Sequence, residues 1–192
     1  QASFIESVLS LLFLQKFDVM LLQETDVDER EVAALTATAA RAGLHLHFGP
    51  TTPLDAQGLR MGRRVAILSR IKMADIDPPP TKDPVVQYLR FTGRWIERRI
   101  PLGQGDQYMV VSSVYGVSGA KGLCTKKNAN AQLFAAAFAR IQAFDSVPYI
   151  CGTDVNYNPQ SLAPVDKAAS AGIIHDISAD VFSPSPPPTF CP

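Results

Sequence analysis

Two short apolar runs, each followed directly by polar side chains, most constrain the fold of this chain. The first lies within residues 18–25 (DVMLLQET) and ends at Glu24. The second, residues 147–151 (VPYIC), leads into the sequence GTDVN, which carries Asp154 and Asn156. Runs of four or five apolar residues are too short for helices and are typical of buried strands. Carboxylates at the carboxyl ends of such strands are typical of active sites in layered folds.

Composition favours one globular domain over residues 1–192, with a Pro-rich, irregular tail over about residues 182–192. Hydrophobic residues make up 46% of the chain and its formal net charge is zero, so any nucleic-acid binding must use local basic clusters. The three cysteines are far apart in sequence, which predicts reduced thiols in an intracellular protein of the nucleus or cytoplasm. No apolar run approaches the ~20 residues that span a bilayer, so no membrane partner is expected.

Hydrophobic periodicity predicts alternating helices and strands that do not follow a regular βαβ pattern. Helices are predicted over residues 2–17, 26–42 and 129–144, with one or two helical turns within 162–171. Strands are predicted over residues 19–22, 44–48, 64–70, 85–92, 94–100, 107–115 and 147–151. Three successive strands between residues 85 and 115 indicate an antiparallel meander. The pattern predicts an α+β sandwich of two packed mixed β-sheets flanked by helices.

Four polar side chains follow three of these strands and form a candidate site. If the strands end at one rim, Glu24, Tyr115, Asp154 and Asn156 converge there. Carboxylates, an amide oxygen and water are the ligands that Mg²⁺ prefers. Such an ion would neutralise the charge of a phosphate ester and help activate water. Tyr115 and Asn156 could donate hydrogen bonds to phosphate oxygens or to the leaving group.

The ordered motifs resemble the endonuclease/exonuclease/phosphatase superfamily, the deoxyribonuclease-I-like proteins. DVMLLQET resembles the first metal-ligand motif of that family, RRVAILSR its next core strand, and Gly93-Arg94 its strand-opening pair. VVSSVYGVSG resembles the strand with the catalytic tyrosine, and CGTDVNYNP resembles the GDxN motif. The resemblance implies a four-layer α/β sandwich and Mg²⁺-dependent cleavage of phosphate esters, with Mn²⁺ as an alternative ion. It implies that Glu24 holds the metal, and that Tyr115, Asp154 and Asn156 are catalytic.

The resemblance also implies that the fold and the site are incomplete at both termini. The family begins with a strand that carries a metal-binding asparagine and ends with an Asp-His pair, and neither is expected within residues 1–192. Thr153 replaces the second glycine that usually precedes the aspartate. The 192 residues are therefore expected to bind metal weakly and to turn over little substrate, as part of a longer parent enzyme. His175 is expected to be structural rather than the missing histidine.

The substrate is less constrained by the sequence than the chemistry is. A basic loop predicted over residues 121–128 carries Lys121, Lys126 and Lys127, which could flank a phosphate backbone without reading bases; a solvated loop is the equal alternative. The favoured function is a DNA endonuclease of retroelement type, with nucleic acid and other polyprotein domains, such as a reverse transcriptase, as partners. The alternatives are a phosphatase or phospholipid phosphodiesterase of the same fold, and an inactive, degenerate fragment.

Two other features have simpler interpretations. His45 and His47 alternate with apolar residues, so they are expected on one solvent-facing side of a strand rather than in a metal site. Trp95 is expected in the core rather than on a base-stacking surface.

Overall fold

The computed structural model describes residues 7–8, 10–12, 16–50, 64–76, 87, 91–103, 105–118 and 124–177. Two compact units are formed, one from Gln1–Tyr115 and Ser146–Thr153, the other from Gly116–Asp145 and Asp154–Pro192. The strands are β1 (Val19–Leu22), β2 (His45–Phe48), β3 (Ala66–Ser69), β4 (Trp95–Pro101), β5 (Tyr108–Tyr115) and β6 (Tyr149–Asp154). The α-helices are α1 (Glu29–Arg41), α2 (Cys124–Gln142) and α3 (Ala163–Ser170).

The first unit contains a three-stranded antiparallel sheet in the order β1-β3-β2. The central strand β3 is buried along its whole length, which explains its unbroken AILS sequence. One face of this sheet forms a cluster with α1 and with Val8 and Leu12, in which Leu44, Leu46 and Leu68 are buried.

Helix α1 begins and ends at the residues expected from its sequence. Asp28 is the N-cap and forms a capping box with Glu31, whose Oε2 accepts from the Asp28 N–H at 2.8 Å. Gly43 follows the helix with a φ of +73°, a conformation that glycine adopts without strain.

A second sheet has the order β4-β5-β6, and β4 pairs antiparallel with β5. The two sheets pack through a cluster centred on Ile67, Ile96, Ile100, Val111 and Tyr115. Alternation places these residues of β4 and β5 on one face of the second sheet. Tyr115 therefore lies at the end of a core-facing row of side chains.

The opposite face of the second sheet is also buried. Trp95 is buried as predicted, and buried Glu97 accepts a hydrogen bond of 2.7 Å from the Tyr149 hydroxyl. Burial raises the pKa of the Tyr149 phenol, and the neighbouring Glu97 carboxylate raises it further. This pair is held as a neutral phenol bound to a carboxyl group.

The second unit is helical in its described part. Leu133, Phe134 and Ala137 are buried on α2, and Leu162 and Ala168 are buried at and within α3. The two helices are in contact, and a 3-10 turn (Pro159–Ser161) precedes α3. A shallow groove between α2 and α3 has a volume of about 290 Å³.

Several sequence predictions need correction. Gln87 and Phe91 are helical, so the strand predicted over residues 85–92 is wrong at these described positions. Of the predicted meander, the described residues show the two antiparallel strands β4 and β5. The Val-Val pair favours a strand, but Gln, Leu and Arg around it favour a helix. Residues 124–128, predicted as a loop, are the first turns of α2.

The histidine prediction is also wrong in part. His45 and His47 are half-buried, and His47 pairs with core residue Ile67 of β3. Burial lowers the pKa of His47, and the nearby Arg98 cation lowers it further.

Other predictions fall wholly or mainly outside the described residues. These are the tail over residues 182–192, Lys121, Cys191 and most of the helix over residues 2–17; of the last, residues 7–8 and 10–12 are helical. Within the described residues, no helix combines the length and apolar character needed to cross a bilayer.

Candidate functional site

In the first unit, the structure brings Glu24 and Tyr115 together. The Tyr115 hydroxyl donates a hydrogen bond to Oε1 of Glu24. The tyrosine is only 1% exposed, whereas Glu24 is exposed, so a buried ring presents its hydroxyl to a carboxylate at the surface. The two residues follow the last apolar positions of β1 and β5, as the sequence predicts.

The backbone around Glu24 is fixed by its neighbours. Glu24 has a backbone φ of +53°, which residues other than glycine and asparagine rarely adopt. The buried Thr25 donates through its amide (3.0 Å) and its hydroxyl (3.2 Å) to the carbonyl of Arg64. On the other side, the Gln23 amide donates to the Ser113 hydroxyl at 3.0 Å. These bonds tie one flank of the strained residue to Arg64, just before β3, and the other flank to β5.

Arg94 is a further residue of this cluster. It is 6% exposed, and its guanidinium carbon lies 4.9 Å from the centroid of the Tyr115 ring. A cation at this distance attracts the face of an aromatic ring. Since backbone bonds also join the two residues, with the Tyr115 amide donating to the Arg94 carbonyl at 2.8 Å, Arg94 fixes the plane of the tyrosine.

In the second unit, Asp154 and Asn156 form a tight turn at the end of β6. The Asn156 amide donates to Oδ1 of Asp154 at 2.9 Å, an Asx-type turn that fixes the carboxylate. Asn156 has a φ of +53°, which asparagine tolerates. Its side-chain amide donates to the carbonyl of Gly116 at 3.0 Å, and the Gly116 amide donates to the carbonyl of Asp154 at 2.7 Å.

Two residues that hold this turn were not predicted from the sequence. Asn130, in α2, is fully buried and bonds to the backbone of Val117 and to the carbonyl of Val155 within the turn. Gly116 has no space for a side chain, because a Cβ would lie 2.3 Å from the Val155 carbonyl oxygen. The available signal for Asn130 was its position on the apolar stripe of α2, three and four residues before Leu133 and Phe134.

The predicted basic residues lie on α2 rather than on a loop. Lys126 is half-buried and Lys127 is exposed. The Lys127 ammonium lies 5.4 Å from the centroid of the Tyr157 ring. Tyr157 directly follows Asn156, so Lys127 contacts the residue that comes immediately after the Asp154–Asn156 turn. His175 is exposed, and its expected structural role stays a prediction.

The donor atoms fit a hard divalent cation held by few protein ligands. Glu24 offers a carboxylate at a strand end, the donor type that Mg²⁺ and Mn²⁺ accept. Among the described residues, no three acidic, histidine or cysteine side chains cluster as a metal site. Mg²⁺ usually keeps several waters and is held by one or two carboxylates together with substrate phosphates. A single strand-end carboxylate is compatible with that mode and not with a closed structural metal centre.

Two cysteines lie among the described residues. Cys124 and Cys151 are both free thiols. Burial raises the pKa of Cys151 to about 11, so its thiol is protonated at neutral pH.

Comparison with known proteins identifies the fold. The sequence profile of the Endonuclease/Exonuclease/phosphatase family matches residues 4–191. No curated protein sequence matches the chain. Among solved structures, the catalytic domain of human nocturnin with bound sulfate is similar with a TM-score of 0.64 and 13% identity, over 98% of this chain and 70% of that one.

Two further solved structures are also similar to this chain. ANGEL2, described as a 2',3'-cyclic phosphatase, has a TM-score of 0.56 and 16% identity, over 84% of this chain and 46% of that one. A family protein from Bacteroides thetaiotaomicron has a TM-score of 0.55 and 13% identity, over 88% of this chain and 59% of that one. The chain thus spans between 46% and 70% of the length of these three structures.

Identities this low show a common fold and leave the substrate open. The predicted α+β class, with two β-sheets and flanking helices, is confirmed by these similarities. The predicted boundary of one domain over residues 1–192 stays a prediction. With its profile matched over residues 4–191, the chain belongs to the endonuclease/exonuclease/phosphatase family.

Proposed function

We propose that this protein is a divalent-metal-dependent endonuclease that hydrolyses phosphodiester bonds of DNA. Its family comprises hydrolases that generally depend on a divalent metal ion. The observation that carries the proposal is the hydrogen bond from the buried Tyr115 to the exposed Glu24 carboxylate. A phenol and a carboxylate fixed together at two strand ends suit phosphate-ester chemistry better than acyl transfer, which needs an activated nucleophile.

Glu24 and Tyr115 take complementary roles in the proposal. Glu24 is the metal ligand, and a Mg²⁺ ion bound there would neutralise charge on the phosphate ester. The Tyr115 hydroxyl orients the Glu24 carboxylate before substrate binds. We also assign the Tyr115 hydroxyl a hydrogen bond to a phosphate oxygen or to the leaving group once substrate is bound.

Asp154 and Asn156 supply the remaining acid–base and polar functions. The Asp154 carboxylate accepts a proton from, or orients, the attacking water. The Asn156 side-chain amide carries two N–H donors, of which the bond to Gly116 uses one. We assign the second donor to a nonbridging phosphate oxygen. Both assignments require that the turn keeps its geometry during the reaction.

The choice of DNA is supported by local charge and by an aromatic ring. Lys126 and Lys127 contribute positive charge on α2, and Lys127 lies over the Tyr157 ring. Lysines bind phosphates without reading the bases, so we expect weak sequence preference and strong salt dependence. Lys121 keeps its predicted role as a third phosphate contact.

A small phosphate ester is the second candidate substrate. One similar structure, ANGEL2, is described as a 2',3'-cyclic phosphatase. A phosphatase acting on a small ester needs the same four site residues but not the lysines. Changing Lys126 and Lys127 together to Gln distinguishes the two candidates. The double change should slow only a reaction whose substrate is bound through the phosphodiester backbone of a nucleic acid.

The nicking of supercoiled plasmid in Mg²⁺ tests the proposal, using the protein with its natural flanking sequence. Glu24→Gln and Tyr115→Phe should reduce nicking by roughly 10²-fold or more each. Tyr108→Phe, at the other end of β5, is the matched control and should retain activity. Full nicking by Glu24→Gln would refute the role of Glu24, and hydrolysis of small esters without nicking would favour the phosphatase.

We further propose that the chain is the endonuclease part of a longer, retroelement-type polyprotein. The chain spans at most 70% of the similar structures described above, which supports a longer protein, and the retroelement type is the expectation from the sequence. Sequencing of the parent transcript tests the proposal directly. An adjoining reverse-transcriptase reading frame would support it, and an unrelated single-domain reading frame would reject it.

A further inference from the structure

We propose that Asn130 is a positioning residue, which holds the Asp154–Asn156 turn in the geometry needed for phosphate-ester hydrolysis. This inference rests on the proposed function for its catalytic consequence. Its structural part, the bonding of Asn130 to the backbone beside the turn, can be tested separately. Asn130 touches neither substrate nor metal in the proposal and acts only through the residues it holds.

The side chain of Asn130 bonds to two separate segments of the second unit. Its Oδ1 accepts from the Val117 amide at 2.5 Å, and its Nδ2 donates to the Val117 carbonyl at 3.3 Å. The same Nδ2 donates to the carbonyl of Val155 at 3.2 Å. Val155 is the central residue of the Asp154–Asn156 turn. One amide group therefore connects the segment after β5 with the turn after β6.

The connection continues through Gly116 to the two proposed catalytic side chains. The Gly116 amide donates to the Asp154 carbonyl at 2.7 Å, and the Gly116 carbonyl accepts from the Asn156 side chain at 3.0 Å. Because Gly116 directly precedes Val117, the bonds from Asn130 to Val117 also hold Gly116 in place. Gly116 is the hydrogen-bond partner of both Asp154 and Asn156. The result is a closed ring of hydrogen bonds that includes the turn.

Burial makes these bonds selective for asparagine. Asn130 is 0% exposed, so both its acceptor and its donors must find protein partners. An aspartate of the same shape would keep the acceptor but would place a carboxylate against the carbonyl oxygens of Val117 and Val155. A leucine would fill similar space and leave the backbone groups without their partner. No other uncharged side chain of this size supplies one acceptor and two donors in one plane.

Hydrogen exchange and hydrolysis together test the inference, in the protein with its natural flanking sequence. Asn130→Leu and Asn130→Asp are the variants, and Asn128→Asp is the matched control, since Asn128 is exposed on the same helix. We expect the amides of Val117 and Asn156 to lose roughly tenfold or more of their exchange protection in both variants, with β4 and β5 unchanged. We expect kcat to fall by about 10- to 100-fold with KM nearly unchanged, because the turn is misplaced and substrate binding is retained.

A pH profile separates positioning from loss of the fold. At lower pH the carboxyl of Asn130→Asp becomes neutral and can again both accept and donate one hydrogen bond. The activity of Asn130→Asp relative to the unsubstituted protein should therefore rise as pH falls, whereas that of Asn130→Leu should not. A merely space-filling role predicts no such difference.

The outcomes distinguish this inference from the proposed function. Unchanged protection at Val117 and Asn156 in Asn130→Leu would overturn the positioning role, whatever the activity. Lost protection with full activity, while Asp154→Asn is inactive, would overturn its catalytic consequence. Asp166→Asn, at an exposed position, is the control for Asp154→Asn. If both variants remain active, the proposed role of Asp154 is refuted, and the exchange measurement alone decides whether Asn130 holds the turn.

Discussion

Replacement of Gly116 by alanine is the sharpest test of how tightly the turn after β6 is packed. An added Cβ would lie 2.3 Å from the carbonyl oxygen and 2.7 Å from the carbonyl carbon of Val155, and 3.0 Å from the carbonyl oxygen of Asp154. All three are backbone atoms, which cannot rotate away as the tip of a side chain can. Since Cβ atoms essentially never approach other heavy atoms within 3.0 Å, the two segments must move apart.

The cost of this movement has two parts. Overpacking in a close-packed site destabilises by about 1–3 kcal/mol. Separation also strains the bond from the Gly116 amide to the Asp154 carbonyl and the bond from Asn156 to the Gly116 carbonyl, each contributing about 0.5–1.5 kcal/mol. We therefore expect a loss of about 2–6 kcal/mol, which is a large share of a typical domain's stability.

Urea denaturation followed by circular dichroism measures this loss, with Gly103→Ala as the control. Among the described residues, nothing lies within 4 Å of a Cβ at Gly103, and its φ of +72° predicts only backbone strain, about 1–2 kcal/mol. A Gly116→Ala protein within about 0.5 kcal/mol of the unsubstituted protein would show that the segments can separate freely, and would refute the reasoning.

Three further predictions concern single residues. The pKa of His47 is lowered from 6.5 by burial and then by Arg98, with His45 adding slightly and Asp75 opposing, so its contribution to stability is complete above pH 6.5 and is lost as pH falls through the lowered pKa. In His47→Gln, the free energy of unfolding in urea should therefore depend less on pH between about pH 7 and 5, and an unchanged pH dependence would contradict this. With its pKa raised to about 11, Cys151 holds roughly one thiolate per 1,000 molecules at pH 8, so peptide mapping after iodoacetamide should show exposed Cys124 alkylated at least about 100-fold faster, and equal rates would refute its burial. The free energy of unfolding in urea should be about 1 kcal/mol lower for Glu24→Ala than for Glu24→Gly, because both variants remove the carboxylate but only glycine adopts a φ of +53° without strain. Equal free energies would show that the backbone at this position relaxes.

The strands that carry the site could be predicted because each has a signal confined to its own residues. β1, β3, β5 and β6 are short apolar runs, and α1 has a complete capping signature at Asp28 and Glu31. The errors occurred where local preference was ambiguous. The Val-Val pair before Gln87 suits a strand, yet Gln87 and Phe91 are helical. The polar start of α2 has no apolar period that would mark a helix.

The residues that make chemistry possible are easier to predict than those that hold them. A carboxylate or an amide after a buried strand is visible in the sequence, and Glu24, Tyr115, Asp154 and Asn156 were chosen on that basis. Asn130 and Gly116 are not visible in this way, because their role depends on which backbone groups lie beside them. Only the tertiary structure brings residues 116–117 and 154–156 together with a side chain from α2.

Two of the four proposed site residues, Glu24 and Asn156, lie outside the usual backbone region, each with a φ of +53°. Such conformations persist only when the surrounding bonds determine them. In the first unit those bonds run from Thr25 to the Arg64 carbonyl, and in the second they run from Asn156 to Asp154 and Gly116. In both units the strained residue comes two positions after the last residue of a strand, where the left-handed conformation turns the chain away from the strand direction. Substitutions that relax either turn should therefore reduce activity before they reduce stability.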